Sequence, residues 1–150
     1  MNFCYLSLGS NQKCPERQIR AAINALRALP STHITQVSSL YWNKAWGLQT
    51  QQDFCNVVVE ITSTLNPLLL LKFCQKIEQK QGRVRRKQWG PRALDIDIIL
   101  YGSRKITTPR LTIPHPYFLE RDFVIQPLLK LCTHTELKNF ISSIALNAKP

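Results

Sequence analysis

Residues 92–100 read RALDIDIIL, and the fold turns on whether this stretch is a strand or a helix. As a strand, with side chains alternating between faces, it sets Leu94, Ile96, Ile98 and Leu100 on one continuous apolar face and turns Asp95 and Asp97 together to the other. As a helix, it throws the two aspartates to nearly opposite sides and scatters the apolar set. The strand, running over 93–101, is the consistent reading.

Upstream of it, FCYLSL (3–8) reads as a first strand ending in the turn Gly9-Ser10-Asn11. Pro15 opens a helix at its first position, and Ile19, Ile23, Leu26 and Leu29 recur at helical spacing until Pro30. ITQVSSLYW (34–42) suits a second strand and is followed by a loop turning at Gly47. FCNVVVEIT (54–62) alternates clearly: Cys55, Val57, Val59 and Ile61 share one face, Phe54, Asn56, Val58 and Glu60 the other. Asn66-Pro67 caps and starts a second helix, which turns Leu70, Phe73, Cys74 and Ile77 toward a core and stops at Gly82. Downstream, short strands or turns surround Pro109–Pro116, and a terminal helix is predicted within 136–145. The order strand, helix, strand, strand, helix, strand predicts a ferredoxin-like α+β fold. It is a split βαβ antiparallel sheet with helices packed on one face and the other face open to a ligand. Without a repeat, linker or low-complexity segment, residues 1–150 read as a single domain.

The chain is 44% hydrophobic and 19% charged, as a globular domain is. No apolar run approaches the roughly 20 residues of a membrane span, and MNFCYLSLGSN lacks the basic start and apolar centre of a signal peptide, so a cytoplasmic protein is expected. The cysteines (Cys4, Cys14, Cys55, Cys74, Cys132) are odd in number and never spaced as CxxC, which argues against a disulfide framework or a zinc knuckle. A net charge of +11 suggests a polyanionic partner: nucleic acid, acidic membrane or a phosphate-bearing substrate. Most of the twenty basic residues are scattered, with one local cluster. Arg83, Arg85, Arg86, Lys87 and Arg92 fall within ten positions, immediately before the two aspartates.

Adjacent same-face carboxylates repel, and a divalent ion, or two ions roughly 3.5–4 Å apart, removes the repulsion. Oxygen-only ligands favour Mg²⁺, which binds through one or two carboxylates plus substrate phosphates. Arginine forks suit phosphate oxygens, so acidic ligands beside a basic segment are the parts that phosphoryl transfer needs. There is no Walker A lysine motif and no glycine-rich dinucleotide fingerprint, so a nucleotide site here is built differently. Trp89 suits stacking on a planar ligand or packing. His115, stiffened between Pro114 and Pro116, suits a phosphate contact, proton transfer or a structural role. Asn56 offers the mixed donor and acceptor edge that a heterocycle requires, with Phe54 beside it for stacking.

YLSLGSN (5–11), QKIEQKQGRVR (75–85), WGPRALDIDIIL (89–100) and RLTIPHPYFLERDFV (110–124) together resemble the 6-hydroxymethyl-7,8-dihydropterin pyrophosphokinases, over most of the chain and in matching order. The resemblance implies a monomeric, ferredoxin-like α+β enzyme that moves diphosphate from ATP to a pterin alcohol. Asp95 and Asp97 would hold two Mg²⁺ ions, Arg83 and Arg92 would contact phosphates, and Arg85 and Trp89 would belong to a closing loop. Gln75, Glu78, Arg110, Thr112, His115 and Arg121 match positions around the nucleotide. Phe54, Asn56 and Phe123 match the pterin pocket. Asn43-Lys44-Ala45-Trp46, which departs from the family's usual Thr/Ser and prolines, stands along the same pocket, with Asn43 and Trp46 as its candidate contacts. The main rival is a basic nucleic-acid-binding module of the same fold, which expects a glycine and aromatic run on a central strand. Neither FCNVVVEIT nor RALDIDIIL supplies one.

Overall fold

Two strands at the centre of the fold, β1 (Asn2–Ser10) and β4 (Phe54–Ser63), are buried along almost their whole length on both faces. The computed structural model describes residues 2–12, 14–44, 53–82 and 93–148. Within them β1 is followed by α1 (Pro15–Arg27), β2 (Thr32–Val37) and β3 (Tyr41–Asn43), and β4 by α2 (Pro67–Lys80) and β5 (Asp95–Tyr101). A small hairpin of β6 (Ile106–Thr107) and β7 (Thr112–Ile113), a 3₁₀ turn (Phe118–Glu120), α3 (Asp122–Leu131) and α4 (Thr135–Asn147) complete the described chain. The sheet runs β2-β4-β1-β5 with every pairing antiparallel, and β3 adds to β4. This is the expected ferredoxin-like arrangement, with β2 and β3 as two pieces of the predicted second strand. Their ladder is interrupted at Ser38, whose hydroxyl accepts the Val58 N–H at 2.9 Å.

The local signals explain both α1 and α2. Pro15 starts α1, and Ile19, Ala22 and Leu26 turn inward. The Asn66 side chain accepts from Leu69 N–H at 2.9 Å and caps α2. Gly82 follows the helix with φ +89, a conformation that costs glycine no Cβ clash. The first strand runs two residues past its predicted end: Gly9 and Ser10 pair with Asn56 and Cys55 and form no turn.

Two expectations change. The first is that helices occupy one face. On that face α1 and α2 do close a core over Cys4, Leu6, Leu8, Val57, Val59 and Ile61. The opposite face is occupied too: Val124, Leu128 and Leu131 of α3, with Leu137 and Ile141 of α4, pack on Tyr5, Val58, Ile99 and Leu100. Helix α3, which carries Pro127 inside it, is absent from the sequence reading. Its buried set of 124, 127, 128 and 131 nevertheless has helical spacing. The second change concerns Leu100. A bulge on β5 pairs Leu6 with Ile98 and Tyr5 with Leu100, leaving Ile99 as the extra residue. Beyond it the alternation is inverted, so Leu100 joins the second core and Tyr101 the first.

All five cysteines are free. Burial pushes the Cys4 and Cys74 thiols up to about 12 and Cys55 to about 11, as expected of inert core thiols, whereas Cys14 is exposed. No helix among the described residues is long and apolar enough to cross a membrane.

Candidate active site

Upstream of the bulge, the register of β5 sets Asp95 opposite Gly9 and Asp97 opposite Ser7. Side chains at directly paired positions share a face, so both aspartates stand on the same side of the sheet, half-buried, as the alternation predicted. Across β1 the row continues: Gly9 also pairs with Asn56 of β4, and Asn56 with Tyr41 of β3. One line of paired positions therefore joins Tyr41, Asn56, Gly9 and Asp95.

Gly9 is the position in this row that has no room for a side chain. A Cβ there would stand 2.8 Å from Asn56 Oδ1, so the amide lies across the glycine backbone. Asn56 is only 3% exposed. Its Nδ2 donates to the Tyr41 carbonyl at 3.1 Å and to Asn43 Oδ1. Phe54 and Asn43, paired with each other, are half-buried beside it. The predicted heterocycle reader is thus a fixed amide in the same row as a carboxylate.

On the other side of Asp97 stands a cationic and aromatic cluster. Arg121 Nη1 is 3.8 Å from Asp97 Oδ2, and its guanidinium lies 5.7 Å and 5.9 Å from the ring centres of Tyr117 and Phe123. The His115 N–H donates to the carbonyl of the bulge residue Ile99 at 3.0 Å, which ties this segment to β5. His115 Nδ1 accepts the Tyr117 N–H at 3.1 Å, so the neutral ring carries its proton on Nε2. Burial lowers the imidazole below its ordinary 6.5; the Asp97 carboxylate opposes the shift and Arg121 adds to it. A neutral His115 therefore presents a donor, not a base.

The structure brings Asp95, Asp97, Asn56, Asn43, Phe54, His115, Arg121 and Phe123 to one part of the sheet and its adjoining segment. Thr112 on β7 and Arg110 before it are exposed, as is Gln75 on α2. Glu78 differs: it is 4% exposed, and its Oε2 accepts the Ile96 N–H at 2.8 Å. Trp46, Arg83, Arg85, Arg86, Lys87, Trp89 and Arg92 lie outside the described residues. Gly9 and Tyr117 were not among the sequence candidates. A glycine inside a strand is itself a signal of close approach, whereas Tyr117 had none.

Asp95 and Asp97 fit a hard divalent cation. Both are half-exposed oxygen donors on one face, and no group of three or more His, Cys, Asp and Glu among the described residues forms a closed protein cage. Such a pair leaves coordination positions for water and substrate phosphates, which is how Mg²⁺ is usually held.

The profile of the 7,8-dihydro-6-hydroxymethylpterin-pyrophosphokinase family matches residues 5–133. A 2-amino-4-hydroxy-6-hydroxymethyldihydropteridine pyrophosphokinase of Haemophilus influenzae is 46% identical over 135 residues, covering 90% of this chain and 84% of that protein. The Bacillus subtilis protein of the same name is 41% identical over 135 residues, covering 90% of this chain and 81% of its own. Among solved structures, the Plasmodium falciparum HPPK-DHPS aligns over 96% of this chain with a TM-score of 0.67 at 14% identity. That likeness concerns the fold, and this chain spans 42% of that one. With a family match over residues 5–133 and relatives 41% and 46% identical over 90% of its length, the chain belongs to the 7,8-dihydro-6-hydroxymethylpterin-pyrophosphokinase family.

Proposed function

We propose that this chain transfers diphosphate from ATP to 6-hydroxymethyl-7,8-dihydropterin and releases AMP. The observation that carries the reading is the paired row Asn56–Gly9–Asp95, with Asp97 one residue pair away. It supports the reading because an amide, the group suited to a heterocycle edge, shares that row with a carboxylate suited to magnesium and phosphate. The pterin edge would meet the Asn56 amide, with Phe54 and Phe123 as ring partners and Asn43 and Trp46 along the rim. Asp95 and Asp97 would hold two Mg²⁺ ions, which when bound neutralise phosphate charge and acidify the attacking hydroxyl. The pterin oxygen forms a bond to the β-phosphorus as the bond from that phosphorus to the α-phosphate oxygen breaks, and the hydroxyl proton passes to solvent.

The residues' work is positioning and charge compensation, with no covalent intermediate on the protein. His115 donates through Nε2–H to a phosphate oxygen, and Arg121, already held between Tyr117 and Phe123, supplies a fixed positive charge. Arg110, Thr112 and Gln75 are assigned to the nucleotide, Arg83 and Arg92 to its phosphates, and Arg85 with Trp89 to a closing segment. The proposal takes residues 1–150 as one catalytic domain, monomeric and cytoplasmic, without a nucleic-acid partner. Its support is that the acidic pair on the ligand face repels a polyphosphate backbone unless metal is present.

Incubation with Mg·ATP and the hydroxymethyl dihydropterin, followed by nucleotide analysis, tests it. AMP that forms only when the pterin is present is the expected product. ADP, or no turnover, refutes the proposal.

A further inference from the structure

The least expected charge in the described chain is Glu78. It lies in the last turn of α2, where the helix dipole disfavours an anion, and it is 4% exposed. A buried carboxylate at the wrong end of a helix breaks two local rules at once, which points to a task elsewhere. Its acceptor atom shows the task. Oε2 takes the N–H of Ile96 at 2.8 Å, and Ile96 is the residue between Asp95 and Asp97.

Among the described residues, strand β5 ends the sheet order, with β1 on one side and no strand on the other. In an antiparallel ladder successive residues direct their backbone groups to opposite sides. With its N–H on Glu78, Ile96 faces the open edge, and Asp95 and Asp97 face Gly9 and Ser7. The open-edge N–H is buried, since Ile96 is 5% exposed, so it needs an acceptor. The buried Cys74 thiol of α2 is pushed up first by burial and then by Glu78 and Asp97.

We propose that Glu78 is a positioning residue: by clamping the open edge of β5 from α2, it fixes the strand segment whose two aspartates hold the metal. The role differs from the direct nucleotide contact that the family resemblance implies, and it rests on the metal assignment made above. It depends on reach and on accepting a hydrogen bond more than on negative charge. Glu78→Gln keeps an acceptor of the same length, whereas Glu78→Asp keeps the charge and withdraws the oxygen by one methylene.

Two measurements on the full chain test this. Amide hydrogen exchange at Ile96, followed by NMR without substrates, should speed up in Glu78→Asp and Glu78→Ala and stay near wild type in Glu78→Gln. The free Mg²⁺ needed for half-maximal pterin-dependent AMP formation should rise about 10–100-fold in Glu78→Asp, as when a partner of a metal ligand is lost, and stay within about threefold in Glu78→Gln. Unchanged Ile96 exchange in Glu78→Asp refutes the clamp. Faster exchange with unchanged Mg²⁺ demand refutes its role at the site. A Glu78→Gln variant as impaired as Glu78→Asp assigns the effect to charge and overturns the proposal too. If Glu78→Ala does not fold, the Asp and Gln pair decides alone. A wild type that makes no AMP overturns the proposed function, whereas the Ile96 exchange still decides the clamp.

Discussion

At the scale of single residues, Gly9 and Asp97 do different work on the same face. Gly9 matters for the atom it lacks, since the Asn56 amide occupies the space of a Cβ. Gly9→Ala should displace that amide and cost about 1–3 kcal/mol, as overpacking of a closed site does. Urea unfolding would read the stability. The kinetic signature is a pterin KM raised about tenfold or more with the KM for Mg·ATP little changed, because the displaced group is the one proposed to meet the heterocycle. Asp97 bears on the chemistry. Asp97→Ala should lower kcat by about 100-fold or more while thermal unfolding stays near wild type, the side chain being half-exposed. Full activity in that variant would reject its metal role.

Among the elements, β5 and α3 decide how the site is walled. The bulge at Ile99 lets one strand serve two cores: upstream it alternates Asp95 and Asp97 against Ile96 and Ile98, and downstream it sends Leu100 across to α3. Helix α3 carries Phe123 at its start, next to Arg121, and its anchor is the fully buried Leu128. Leu128→Ala should destabilise the protein by about 2–5 kcal/mol, measured by chemical denaturation. It should also weaken pterin binding below the unfolding temperature, because Phe123 loses its footing. Normal affinity in a clearly destabilised variant would separate α3 from the pocket.

For the molecule as a whole, the second face is fastened to the sheet by a buried carboxylate away from the site. Glu60, 2% exposed, accepts from Tyr5, Thr35 and Gln36, and His134 Nε2 lies 3.6 Å from it. Gln36 also donates to the Leu131 carbonyl at 3.1 Å, at the end of α3. Burial pushes the Glu60 carboxyl up, but the bonds from Thr35, Tyr5 and Gln36 and the charge of His134 outweigh it and leave the group below its ordinary 4.5. A lowered carboxylate value means that the unfolded chain binds the proton more readily. The stabilisation is therefore fully present above 4.5 and is lost as pH falls through the folded value. Denaturant midpoints between pH 7 and 3 should drop on acidification, and Glu60→Gln should flatten that slope. An unaltered slope would remove Glu60 from the account.

Much of this was legible in the residues. The alternation in RALDIDIIL determined the strand and the shared face of its two aspartates, because side-chain direction in an unbulged stretch of strand follows counting by two. Proline, asparagine and glycine at the ends of α1 and α2 set those helices for equally local reasons. The family motifs named the chemistry. Only the tertiary structure decided the rest. The bulge that reassigns Leu100 depends on how β5 pairs with β1, and the closeness of Asn56 to Gly9 on the register between two distant strands. The burial of Glu78 against Ile96 and the packing of α3 on the second face also join partners far apart in the chain. Such contacts are fixed by pairing and packing between elements, and no local pattern encodes them.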